Sequence, residues 1–238
     1  MENSSIIKIE KLTKSFPIGK SVFTALKEVD LNINKGEFCG LIGPSGSGKT
    51  TLLNIVGSLD VPTEGVATVL GHSIGELTPR QAAKLRKESL GFIFQSYNLL
   101  AVHTVYENVE FPLLLLDYTA SERKKMVMDA LDWVGLTDKV NSRPPQLSGG
   151  ESQRVAIARA MVKKPSLVLA DEPTANLDAA NSHHILRTME TLNQELKTTF
   201  LFATHDEKVI SYLRRKIYLL DGRIDKDEIV TPSREVSV

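Results

Sequence analysis

The residues best suited to chemistry begin at position 43, where Gly43-Pro44-Ser45-Gly46-Ser47-Gly48-Lys49-Thr50, followed by Thr51, fits the pattern G-x-x-x-x-G-K-[ST]. Glycines at 43, 46 and 48 let such a loop curl so that its backbone N–H groups point at phosphate oxygens. A helix N-terminus behind the loop adds about half a positive charge. In that setting Lys49 reaches the β- and γ-phosphates, and the Thr50 hydroxyl ligates Mg²⁺. Further along, Asp171 and Glu172 close the apolar run 167–170. Asp171 then stands at the carboxyl end of a strand, the binding edge of parallel sheets, where a metal-binding aspartate is expected. Glu172 is placed to act as general base or to orient a water at the γ-phosphate. Either acid alone reads as a surface carboxylate; the phosphate loop upstream favours the catalytic reading.

A third constellation is Leu147-Ser148-Gly149-Gly150-Glu151. Ser148 reads as an N-cap and Glu151, three residues on, completes a capping box. The two glycines leave backbone N–H groups uncovered at the helix start, which makes a second anion-binding end in one chain.

These groups need particular elements to hold them. Period-two alternation predicts strands over 6–12 and 25–33, and a further strand over 37–42, apolar from 38 on, leads into the phosphate loop. A helix is predicted over 49–58, a short β segment over 66–70, and helices over 79–88, 119–134 and 148–162. Strands at 167–170 and 200–203 with a helix over 179–196 between them follow βαβ logic and imply a parallel sheet. An early antiparallel layer and a helix-rich middle complete the expectation.

With the motifs in place, the chain resembles the ABC ATPase family along essentially its whole length. The run LSGGESQRVAIARA is similar to that family's signature helix, with Ser148 as its serine. Gln95 in Phe92-Ile93-Phe94-Gln95 resembles the Q-loop glutamine, which also serves the metal, Asp178 the D-loop aspartate, and His205 in Ala203-Thr204-His205-Asp206 the switch histidine. Phe16 corresponds to the aromatic that stacks on adenine. The runs 57–63, 94–100 and 106–109 resemble the subgroup of lipoprotein-releasing, macrolide-export and cell-division ATPases. Phe16 stands where tyrosine is common and Ser152 where glutamine is common; neither change removes a catalytic group.

The resemblance implies an α/β fold of the P-loop NTPase, ABC-ATPase type. Its core sheet is mostly parallel and flanked by helices, with an antiparallel β subdomain and an inserted helical subdomain. One domain over 1–238 divides into a nucleotide-binding core, about 1–95 and 163–238, and a helical signature part, about 96–162. The implied activity is ATP hydrolysis with Mg²⁺, carried by Lys49, Glu172, His205 and Gln95, with Thr50, Gln95 and Asp171 serving the metal. The implied working unit is a head-to-tail dimer in which the phosphate loop of one copy and Ser148, Gly149 and Gly150 of the other enclose each ATP. That dimer drives a separate membrane permease in export, lipoprotein release or mechanotransmission. The alternative is an ABC ATPase outside transport. Too few residues lie between Lys49 and Ser148 for the long coiled coil of genome-maintenance members, and the chain carries one cassette where translation-type members carry two.

Composition bounds the rest. In 238 residues, 29 basic and 29 acidic side chains cancel, so no global field draws the chain to nucleic acid. The single cysteine, Cys39, rules out a disulfide framework. The opening residues lack a signal peptide's pattern, and no apolar run approaches the roughly 20 residues that span a bilayer. The expected location is cytoplasmic, held peripherally at the inner face of the membrane by a separate membrane subunit. The segment 97–116, with Leu99, Leu100, Phe111 and Leu113 and few charges, is the expected docking surface.

Overall fold

A computed structural model describes residues 5–230. The chain opens with a hairpin of two long strands, β1 (Ser5–Ile18) and β2 (Ser21–Asn34). Its inner face is apolar, with Ile7, Ile9 and Leu12 buried on β1 and Leu26, Val29, Leu31 and Ile33 on β2. Both strands run beyond the limits the alternation suggested. Register shifts around residues 9–15 absorb the break in pattern, so pairing continues through Phe16↔Phe23 to Ile18↔Ser21.

The strand β3 (Phe38–Ile42) follows, buried throughout, and then α1 (Lys49–Val56), β4 (Glu64–Val69) and β5 (His72–Ser73). Next come α2 (Pro79–Ser89) and β6 (Leu90–Ile93), then α3 (Val105–Glu110), α4 (Ala120–Trp133) and α5 (Gly149–Met161). The chain closes with β7 (Leu167–Asp171), α6 (Ala179–Leu196), β8 (Thr199–Thr204), α7 (Glu207–Tyr212), β9 (Arg215–Leu220) and β10 (Arg223–Ile229). The short elements β6, α3, α7, β9 and β10 carry no periodic signal of their own and are set by their neighbours.

Among the described residues the strands form two sheets, ordered β2-β1-β4-β5 and β10-β9-β3-β8-β7-β6. The first is antiparallel; the second is parallel except for β10 at its edge. This is the expected combination of a parallel core sheet with an antiparallel layer. One apolar cluster joins the inner faces of the two sheets through Leu52, Ile55 and Val56 of α1. A second lies on the other face of the parallel sheet, where Phe38, Phe200 and Phe202 meet residues of α3, α4, α5 and α6. The rings of Phe38 and Phe202 pack edge to face, 4.8 Å between centroids.

The helices α3, α4 and α5 share one starting device. Thr104, Thr119 and Ser148 each cap a helix and each is answered by a glutamate three residues on, Glu107, Glu122 and Glu151. Leu99 packs against the core and Leu113 is fully buried, whereas Leu100 and Phe111 are exposed. The apolar segment 97–116 therefore divides between core and surface.

Candidate functional site

Sheet register gathers the site. Ile42 of β3 lies beside Thr204 of β8, Asp171 of β7 beside Ala203, and Ile93 of β6 beside Ala170. The residues just beyond these carboxyl ends, Gly43, Gln95, Glu172 and His205, therefore share one edge of the parallel sheet, the usual ligand-binding edge. A cleft of about 400 Å³ opens there, walled by Ser45, Gly46, Gly48, Lys49, Thr50 and Thr51 of the loop and by Gln95, Asp171, Glu172 and His205, with Phe23 and Ala25 of β2 along one side.

The loop keeps its curve through Gly48, whose φ of +106° is closed to side-chain-bearing residues and whose added Cβ would lie 2.7 Å from the Ala25 carbonyl oxygen. Lys49, nearly buried, donates to the carbonyls of Gly43 (2.7 Å) and Pro44 (2.9 Å). Burial lowers its pKa, against the opposing pull of Glu172 and Asp171. Ser47 Oγ is buried and has no hydrogen-bond partner among the described residues.

Across the cleft, Thr50 Oγ1 donates to Asp171 Oδ2 at 3.0 Å. Burial raises the Asp171 pKa; the Thr50 bond pulls it back down, and the neighbouring Glu172 charge adds to the rise. Glu172 sits at φ 46°, left-handed backbone that a non-glycine residue adopts at a cost of order 1–3 kcal/mol. Three bonds hold it there. Its N–H donates to the Ala203 carbonyl at 2.9 Å, Thr204 Oγ1 donates to its Oε2 at 3.0 Å, and His205 Nδ1 meets its Oε1 at 2.6 Å.

The signature helix stands elsewhere. Ser148, Gly149 and Gly150 at the start of α5 are not among the residues that wall the cleft, and neither is Asp178, whose carboxylate caps α6 by accepting from the Asn181 N–H at 2.8 Å. The starts of α5 and α6 lie against each other. A Cβ on Gly150 would meet Asn181 Oδ1 at 2.5 Å, so the close approach of the two helices leaves little room for a side chain there. Gln95 is tied to this region, since its carbonyl accepts from Asn176 Nδ2 at 2.9 Å, and Arg159 of α5 donates to the carbonyls of Tyr97 and Asn98, both at 2.6 Å.

Phe16 lies directly opposite Phe23 across the hairpin but does not itself wall the cleft; Phe23, which no motif singled out, does. The signal for Phe23 is an aromatic two residues before Ala25 on the strand that backs the phosphate loop, legible only once the hairpin register is known.

A groove of about 510 Å³ runs between the core and the helical part, with Phe92, Phe94, Phe111 and Leu115 lining it beside Arg86 and Arg159. No helix among the described residues is long and apolar enough to cross a membrane.

The family model for the ABC transporter matches residues 26–175. The chain is 41% identical over 227 residues to an uncharacterised ABC transporter ATP-binding protein of Methanocaldococcus jannaschii, covering 94% of this chain and 97% of that protein. It is 42% identical over 222 residues to the lipoprotein-releasing system ATP-binding protein LolD of Legionella pneumophila, covering 93% and 98%. A solved dimeric, post-hydrolysis structure of the Methanocaldococcus jannaschii ATP-binding cassette, bound to ADP and Pi, superposes with a TM-score of 0.87 at 40% identity, over 94% of this chain and 99% of that one.

Proposed function

The chain belongs to the ABC transporter family and is its ATP-binding, ATP-hydrolysing kind of subunit; from that premise we propose how its own residues divide the work. The observation that carries the proposal is the convergence of Lys49, Thr50, Gln95, Asp171, Glu172 and His205 on one cleft. The backbone N–H groups of residues 45–51, which take in the start of α1, hold the triphosphate, and Lys49 exchanges its loop carbonyls for the β- and γ-phosphate oxygens. A hydroxyl and a carboxylate 3.0 Å apart, Thr50 and Asp171, fit Mg²⁺, which takes oxygen ligands and keeps waters and phosphates as the remainder. Gln95 completes that set. Bound there, the cation would neutralise developing phosphate charge.

Glu172 orients the attacking water or takes its proton, and the bonds from Thr204 and His205 fix its carboxylate for that task. His205, about two thirds exposed and bonded to Glu172 through Nδ1, has its other ring nitrogen left to reach the γ-phosphate once nucleotide is present. Ser148, Gly149, Gly150 and Asp178 act on the nucleotide of a second copy, a role supported by their absence from the chain's own cleft wall and by the dimeric state of the solved relative. Phe16 contributes to the base platform.

The partner is an integral membrane permease, supported by the transport roles of the relatives and by the exposed apolar side chains Leu100, Val102, Phe111, Leu114 and Leu115, of which Phe111 and Leu115 line the groove. Held by such a permease, the chain would lie peripherally at the inner face of the membrane, and the transport roles of the relatives favour this reading over an ABC ATPase outside transport. The test is turnover with Mg-ATP. Glu172→Gln retains ATP binding and loses about 10²–10⁴-fold in rate, while Lys49→Ala loses binding itself. A Glu172→Gln protein turning over at the wild-type rate removes Glu172 from the chemistry.

A further inference from the structure

We propose that Phe23 is a nucleoside-contacting residue, which widens the base platform from one aromatic ring to two. The inference rests on the reading of the cleft as the ATP site. Phe23 lines that cleft with Ala25, and strand alternation places both on the face of β2 that backs the phosphate loop. Val22 and Thr24 point to the opposite face, where Thr24 Oγ1 pairs with Ser15 Oγ at 3.0 Å. Phe23 is 51% exposed, so the fold leaves half of a large apolar ring uncovered at the wall of a polar cleft. An apolar ring there adds nothing to phosphate binding; a flat heteroaromatic base would cover it.

The neighbour across the hairpin supports the same use. Phe16 is the register partner of Phe23, and directly opposed residues of an antiparallel pair present their side chains on one face. Phe16 is fixed from its own side by Lys14, whose ammonium lies 5.0 Å from the ring centroid. That ammonium is anchored in turn, donating to Asp60 Oδ1 at 2.6 Å and to the Val61 carbonyl at 2.8 Å. Phe16 is thus the anchored ring and Phe23 the uncovered one, nearer the phosphate loop. A triphosphate held by residues 43–51 leaves its nucleoside to run along this hairpin, where Phe23 comes first.

The experiment compares binding of ATP and of inorganic tripolyphosphate to the full chain, wild type and Phe23→Ala, by equilibrium titration. Base stacking of ordinary strength predicts that Phe23→Ala weakens ATP by about fivefold or more, leaves tripolyphosphate unchanged, and is rescued by Phe23→Tyr. Equal weakening of both ligands would mean general damage to the loop and would overturn the proposal. So would an unchanged ATP affinity, including the case in which Phe23→Ala instead weakens the ATP-bound dimer, which would make the ring a subunit contact. Phe16→Ala measured alongside separates the failures. If it weakens ATP and Phe23→Ala does not, only the second ring is lost; if neither does, aromatic stacking itself is wrong for this cleft.

Discussion

Glu172 shows how this chain spends local strain. Its left-handed backbone turns the carboxylate away from the line of β7, and the bonds from Thr204 and His205 hold the geometry. Two adjacent acids thereby acquire different surroundings, one facing Thr50 and the other facing His205. At the same scale, Phe16→Ala removes the anchored ring of the proposed base platform while leaving the polar cleft intact. ATP affinity should fall by roughly 1–3 kcal/mol, read by nucleotide titration, with the circular dichroism spectrum unchanged. Wild-type affinity would remove Phe16 from the site.

At the scale of the element, α5 depends on its capping box. Glu151 accepts from the Ser148 N–H at 2.8 Å and lies 3.2 Å from Lys139, and the Ser148 bonds, backbone first, hold its carboxyl at about 2. A folded-state value below the unfolded one makes this a stabilisation that is present above about pH 4.5 and lost as pH falls toward 2. Glu151→Gln keeps the capping box but removes the negative charge at the helix start, so it should cost about 0.3–1 kcal/mol at pH 7, and progressively less below pH 4.5. Thermal unfolding of both proteins at pH 7 and pH 3 checks the sign: a difference that grows on acidification would contradict it.

At the scale of the whole molecule, the start of α5 lies outside the chain's own cleft wall, so the proposed site is completed only by a second copy. Glu172→Gln with Mg-ATP should sediment as a dimer, and adding Ser148→Arg should return it to monomer, because a long charged side chain obstructs the other copy's nucleotide. A dimer indifferent to Ser148→Arg would refute the shared site. The groove gives the second test at this scale. Leu100→Glu and Leu115→Glu alter exposed positions, so stability should stay within about 0.5 kcal/mol while co-purification with the membrane subunit is lost. Leu113→Glu, which buries a charge in the core, should fail to fold instead. Retention of the membrane subunit by the Leu100 and Leu115 variants would move the docking surface elsewhere. The bonds from Arg159 to Tyr97 and Asn98, and from Asn176 to Gln95, join that groove to the cleft through a few residues.

What the sequence determined by itself was local. The loop 43–50, the capping box at Ser148 and Glu151, and the apolar strand ending in Asp171 are contiguous patterns whose chemistry follows from residue type and short spacing. The long helices and most core strands were legible for the same reason, since a period of two or 3.6 needs no distant partner. Only the tertiary structure decided which residues meet. Parallel register brings Gln95, Glu172 and His205 to one edge although they are far apart in the chain, and hairpin register puts Phe23 on the cleft wall opposite Phe16. It also sends Leu99 and Leu113 into the core and leaves Leu100 and Leu115 outside, a division that residue type could not forecast because all four are leucine. Burial is a property of what packs against a residue, and that is fixed only when the helices close on the sheet.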